Sequence, residues 1–231
     1  KLWNKNYYPS DLEHFYYKCT DCLEFDINGK SDKLIKLDKM QSLEWEGVFL
    51  SPIHHKVNDY LLNVVKQIIN LYSFDGVLFD NLRYQNYYYG YNPSGIESFR
   101  KKYNINPYDI NRGLISERFG YSKEQVDSIT YLWNNYRING INDFLHKVNK
   151  YFSSDSINLN IAAFVKSDYS EAKNRWYQDW NNWLINELVD FVIVENNKYD
   201  ISEFNYNIRM INNLQNIDIE KIVIGVDLYN K

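Results

Sequence analysis

Tyr72-Ser-Phe-Asp-Gly-Val-Leu-Phe-Asp-Asn-Leu-Arg-Tyr84 is the stretch whose reading decides the fold. Its Asp75-Gly76 turn launches the apolar run Val77-Leu78-Phe79, which stops abruptly at Asp80, Asn81, Arg83 and Tyr84. A short, continuous apolar run bounded by turn residues reads as a strand buried on both faces, the pattern of a parallel sheet. The polar groups that follow it then stand at the strand's C-terminal tip, where parallel α/β proteins gather their chemistry.

Immediately upstream, Val57, Leu61, Val64, Val65, Ile68 and Tyr72 recur at helical spacing, with Asn58, Asp59, Lys66 and Gln67 on the other faces, so an amphipathic helix feeds the strand. Downstream comes the aromatic loop Tyr87-Tyr-Tyr-Gly-Tyr-Asn-Pro93, a short helix over Ser94 to Tyr103 and a break at Pro107. A long helix begins near Ser122, whose spacing to Gln125 is that of a capping box, and runs to Val148 with Gly140 weakening its middle. A strand over Ile157 to Val165 follows, then a helix carrying Trp176, Trp180, Trp183 and Leu184. Val189-Asp-Phe-Val-Ile-Val-Glu195 is another strand tipped with a carboxylate, and a helix over about 203 to 215 leads to the strand Lys221-Ile-Val-Ile-Gly-Val-Asp227. Strands alternating with helices and no hairpin turns between them require crossovers and a parallel sheet.

No Gly-rich phosphate loop follows any strand, so the pattern fits a (β/α)8 TIM-barrel type better than an open nucleotide-binding sheet. Four strands are legible where a full barrel has eight in ~250 residues, so the barrel is expected to be incomplete, with its later strands present and its first strands missing from this chain. Residues 1–49 mix aromatics and charges without a sustained period, and read as an irregular excursion with one hairpin near Asp26-Ile-Asn-Gly29. Residues 50–231 read as the barrel segment of the same single domain.

A net charge of -4 over 231 residues argues against a broad footprint for nucleic acid or anionic lipid. No apolar run reaches the ~20 residues that span a bilayer. The chain starts at Lys1 rather than Met, so its leader and its localisation are not legible here. Aromatics make up 17% of the chain; they fit either a composition bias or flat faces for sugar rings. Cys19-Thr-Asp-Cys22 is half of a structural zinc site, with His14 the nearest further ligand, or else a closed disulfide or two free thiols. The latter pair of states is preferred, and no metal or cofactor is expected.

Hydrolysis of a glycosidic bond needs two carboxyl groups facing each other across it, one protonated and one ionised. Asp80, Glu195 and Asp227 are the strand-end candidates. Arg83 near Asp80 would hold it ionised, as a nucleophile or charge stabiliser. Glu195 follows an apolar run whose wall would favour acid duty. Asn81, Arg83 and Asp227 are candidate substrate contacts, and Tyr84, Tyr88, Tyr91 and Trp180 candidate stacking rings. Asp75 and Asp190, at strand beginnings, read as turn or capping groups. Asp179 lies in the aromatic helix and reads as solvated, and His54 and His55 as surface groups.

Leu50-Ser-Pro-Ile-His-His-Lys-Val57 leading into Tyr72 to Tyr84 resembles the signature of the glycosyl-hydrolase-like family 10 proteins, bacterial (β/α)-barrel proteins related to glycosidases. The Tyr87 to Asn92 loop, Trp133-Asn-Asn-Tyr-Arg137, Asn160-Ile-Ala-Ala-Phe164 and Gln178-Asp-Trp-Asn-Asn-Trp-Leu184 before Val189-Asp-Phe191 are similar to that family in order and spacing. The resemblance runs over roughly residues 43 to 229. It implies hydrolysis of a bacterial cell-wall or related polysaccharide, usually outside the cytoplasm, and carries site roles onto Asp80, Arg83 and Tyr84. Where the family often has a Pro-Gln-x-Tyr-like strand end, this chain has Val194-Glu-Asn-Asn197, which opens the alternative of a non-catalytic carbohydrate-binding barrel.

Overall fold

A computed structural model describes residues 3–4, 9–31, 46–155, 157–196, 200–214 and 217–226. The chain divides into two compact units, Lys1–Leu61 with Tyr84–Ile141 and Leu62–Arg83 with Asn142–Lys231.

In the first unit, β1 (Trp3–Asn4) pairs antiparallel with β2 (Gly47–Val48), and α1 (Phe15–Lys18) lies between them in sequence. The expected hairpin is a small one: Phe25 bridges Ser31, and the Asp26 carboxylate accepts from the backbone N–H groups of Asn28 and Lys30 at 2.9 and 2.8 Å. Cys19 and Cys22 form a disulfide. His14 is a helix cap, its Nδ1 accepting from Tyr16 N–H at 3.2 Å.

His54 departs from the expected surface position and is 2% exposed. Burial first, then the neighbouring His55, pushes its imidazole below the ordinary value, with Asp21 pulling the other way.

α2 (Val57–Leu71) and α3 (Pro93–Tyr103) match the periodicity. The break at Pro107 is a further short helix, α4 (Pro107–Asn111), with Pro at its first turn and Asn106 capping Tyr108 N–H. α5 (Lys123–Ser154) runs without interruption through Gly140. A Cβ at Gly140 would meet the Pro52 carbonyl at 3.1 Å, so the glycine is there to let the Ser51 to Ile53 loop lie against the helix. Asn58, expected on a solvated face, is 8% exposed and donates to the Gly140 carbonyl at 2.9 Å.

The aromatic bias has a structural use in this unit. Tyr91, Phe99 and Trp133 are buried together with Ile53 and Ile96. The Arg137 guanidinium lies over the rings of Trp133 and Tyr91, at 5.2 and 5.5 Å, and donates to the carbonyls of Tyr89 and Tyr87 at 3.0 and 3.3 Å. The tyrosine-rich loop is thus folded around one cation.

The second unit carries the sheet. β3 (Gly76–Phe79), β4 (Asn160–Lys166), β5 (Phe191–Glu195) and β6 (Ile222–Gly225) lie side by side in that order, all parallel. These are the four predicted strands. β4 and β5 start later than predicted, and Asp190 bonds Ile161 of β4 twice just before β5: its N–H donates to Ile161 O at 2.7 Å and its Oδ2 accepts from Ile161 N–H at 2.6 Å. The fold is a mixed α/β one with four parallel strands, consistent with part of an α/β barrel and half the strand count of a complete one. Among the described residues β3 and β6 are its edges.

Register sorts the side chains onto two faces. Phe79, Ala163 and Val192 share one face, on which Phe79 meets Phe144 of α5 edge-on at 5.1 Å and Ala163, Val165, Val192 and Val194 are buried. Leu78, Phe164, Lys166, Ile193, Glu195 and Val223 share the other, where Leu78 and Val223 are 46% and 45% exposed.

The predicted aromatic helix is two helices, α6 (Tyr169–Trp176) and α7 (Trp180–Ile185), broken where Tyr177 takes a left-handed φ of 54°. α8 (Ile201–Asn212), capped by Asp200, precedes β6 as predicted.

Candidate active site

All four strands point their C-terminal ends the same way, so the groups just beyond them belong to one end of the sheet. β3 ends at Phe79, and the exposed Asp80 follows. Asn81 then adopts a left-handed φ of 53°, turning the chain away from the ladder; Arg83 N–H donates back to the Asn81 carbonyl at 2.9 Å and its Nη2 to Asn81 Oδ1 at 3.4 Å. Asn tolerates that conformation better than other non-glycine residues.

β5 delivers Glu195, half-buried, and β4 delivers Lys166 directly beside it in register. Lys166 Nζ donates to Glu195 Oε2 at 2.7 Å. Where the apolar run before Glu195 suggests an apolar wall, its neighbour here is the Lys166 ammonium. Phe79 pairs with Ala163, which puts Asp80 level with Phe164, two residues short of Lys166 and on the same alternation. Two strand spacings of ~4.8 Å and a two-residue offset separate Asp80 from Glu195 by roughly 12 Å along the backbone grid. Asp227, beyond β6, lies outside the described residues.

Three residues that the sequence reading took for a helical stripe organise this end of the sheet. The pairing of β3 stops opposite Ala163, leaving Phe164 C=O and Lys166 N–H, the i and i+2 groups that a parallel neighbour would bind. The Gln178 amide takes both: its Oε1 accepts from Lys166 N–H at 2.9 Å and its Nε2 donates to Phe164 O at 3.0 Å, with a longer bond of 3.4 Å to Leu82 O in the loop after β3. Trp180 Nε1 donates to Lys166 O at 3.2 Å. Asp179, expected to be solvated, is 6% exposed and accepts from Tyr169 Oη at 2.5 Å and Lys173 Nζ at 2.9 Å. Burial first and the Asp179 bond second hold the Tyr169 phenol far above its ordinary value.

Behind the tip of β5, the buried Asn207 of α8 donates to Asn196 Oδ1 and Ser167 Oγ, both at 3.0 Å. Asn207 thereby ties Ser167, after β4, to Asn196, after β5.

Of the proposed rings, Trp180 is fully buried against Tyr169. Tyr84 and Tyr91 belong to the first unit and are interior there, Tyr84 Oη donating to the Arg137 carbonyl at 3.0 Å and Tyr91 Oη accepting from Asn111 Nδ2. Tyr88, in the same unit, is 47% exposed and lies against Tyr87. The second unit brings Asp80, Asn81, Arg83, Trp180 and Glu195 to one end of the sheet. The signal that would have found Lys166 was the one applied to Asp80, a polar residue directly after an apolar run. Gln178 and Asn207 carried no such signal, since their roles come from loops distant in sequence.

A parallel sheet with Asp80, Lys166 and Glu195 at one end is consistent with part of an α/β barrel, whose chemistry gathers at that end. The Glycosyl hydrolase-like 10 family model matches residues 30–229, and the chain belongs to that family. No curated protein matches it. No described helix is long and apolar enough to cross a membrane.

Proposed function

We propose that the chain acts on a bacterial cell-wall or related polysaccharide by carboxylate-based glycoside hydrolysis at the C-terminal end of β3 to β6. The observation that carries this is that Asp80 directly follows the end of β3 and Glu195 is the last residue of β5, on one alternation of one sheet. Asp80, exposed, is the charge stabiliser or nucleophile, with Asn81 and Arg83 shaping its turn. Glu195 completes the pair, and Lys166 must release it before it can give a proton to a leaving group.

Release of reducing ends from a panel of bacterial glycans tests the assignment. Wild type turns over at least one glycan, while Asp80→Asn and Glu195→Gln fall by about 10²-fold or more. Equal activity in all three rejects it.

The Lys166–Glu195 ion pair favours a second reading, a non-catalytic carbohydrate-binding barrel, because it engages the candidate acid with a lysine instead of an apolar wall. That reading predicts glycan retention on affinity electrophoresis with no reducing ends released.

A further inference from the structure

The Cys19–Cys22 disulfide does not stand alone. His54, 32 residues on from Cys22, is buried with its Nδ1 at 3.5 Å from Cys22 Sγ, and its Nε2 faces Asp21 Oδ2 at 3.5 Å. Lys56 N–H donates to the same Nδ1 over a long 3.3 Å, a bond that a cation on Nδ1 would displace, so Nδ1 carries the lone pair and Nε2 the hydrogen that points at the carboxylate. Asp21 Oδ1 lies 3.2 Å from Cys19 Sγ. Backbone bonds clamp the two segments together, Ser51 N–H donating to Cys22 O at 2.8 Å and Glu24 N–H to Phe49 O at 2.9 Å, while the turn that carries His54 is closed by its N–H on Ser51 O at 3.0 Å.

We propose that Cys19, Cys22 and His54 form a binding site for a zinc-class divalent cation when the cysteines are reduced, with Asp21 orienting the imidazole. The disulfide is then the metal-free state of the same site. Two cysteines separated by two residues have the spacing of a zinc knuckle. A sulfur at ~2.3 Å and a nitrogen at ~2.0 Å from one tetrahedral ion lie roughly 3.5 Å apart, and Cys22 Sγ and His54 Nδ1 are already at 3.5 Å. An N–H of the ligating ring directed at a carboxylate is the usual outer-sphere support of a metal-bound histidine. Three protein donors leave the fourth position to a solvent oxygen.

The chemistry balances in two steps. A dithiol reductant gives two electrons and two protons to the S–S bond and becomes a disulfide, leaving two thiols; the cation then displaces both thiol protons and binds two thiolates. Opening a bridge between residues only three apart releases little chain entropy, so the fold is expected to persist.

The test uses the full chain, reduced by a phosphine under anaerobic conditions and titrated with Co²⁺, with Zn²⁺ as competitor. Reduced wild type is expected to bind one Co²⁺ with a thiolate-to-cobalt charge-transfer band, abolished by Cys19→Ser and by leaving the disulfide closed. His54→Gln weakens binding by 10-fold or more, and Asp21→Asn by a smaller factor. A reduced wild type without that band, or His54→Gln binding as tightly as wild type, overturns the proposal and leaves a structural disulfide only. Should His54→Gln not fold, alkylation of the wild type decides: Zn²⁺ must slow modification of both cysteines, and unchanged rates reject the site.

Discussion

Replacing Gln178 by Leu keeps the side chain's bulk and removes the amide that finishes the β4 ladder. In the structure Gln178 is 1% exposed and accepts from Lys166 N–H at 2.9 Å while donating to Phe164 O at 3.0 Å. Both partners are backbone groups at the edge of the ladder that β3 vacates when Asn81 turns it away. A buried backbone group left without its partner costs about 1–3 kcal/mol, so losing both amounts to roughly 2–6 kcal/mol. The third bond, to Leu82 O, is too long at 3.4 Å to add much. Gln178→Glu, assayed at a pH that protonates it, keeps the acceptor for Lys166 N–H and offers an O–H to Phe164 O, so it should cost only part of that sum, whereas ionised it would set a buried carboxylate against that carbonyl. Urea denaturation followed by circular dichroism measures both, with the slope compared to confirm that the variants unfold over the same surface. The expected order of stability is wild type, Glu, then Leu. A Leu variant within about 1 kcal/mol of wild type would show that water or a shifted strand takes up both groups, and the argument that Gln178 substitutes for a strand would fail.

Gly90→Ala combines a left-handed φ of 96° with a Cβ placed 2.5 Å from Arg137 Cδ. It should cost about 2–4 kcal/mol and be visible as a lowered urea midpoint, whereas an unchanged midpoint would mean the tyrosine loop moves freely off Arg137. Tyr169 keeps its proton in the folded state because burial and Asp179 raise it above the unfolded value of about 10. Unfolding alone releases that proton, so its contribution to stability is whole below about pH 10 and is lost as pH climbs toward the folded value. The alkaline fall of stability should therefore be shallower in Tyr169→Phe, and parallel curves for the two proteins would contradict it. Lys166→Met breaks an ion pair whose partners are 25% and 39% exposed, so it should change stability by less than about 1 kcal/mol in a thermal melt. A larger loss would make the pair a structural element of the sheet.

The alternation of apolar runs and amphipathic helices was enough, read along the chain, to place β3, β4, β5 and β6 and most of the helices between them. Burial on both faces of a parallel sheet leaves a local trace, since each strand needs its own apolar run whatever it pairs with. Asp80 and Glu195 were legible for the same reason, standing where such runs stop. What sequence reading alone could not supply was partnership. Whether Glu195 faces an apolar wall or Lys166 depends on strand register, which is a relation between segments 29 residues apart. The break between α6 and α7 arises because Gln178 and Asp179 make better bonds to the sheet end and to Tyr169 than a continuous helix would allow, a tertiary override of helical spacing. His54 precedes a helix with no evident partner in the sequence around it, which reads as a surface group; it is interior because Cys22 and Asp21 come to it across a loop. Periodicity is written into each element by its own need to bury one face, whereas ion pairs, ladder caps and ligand sets are written only in the distances between elements.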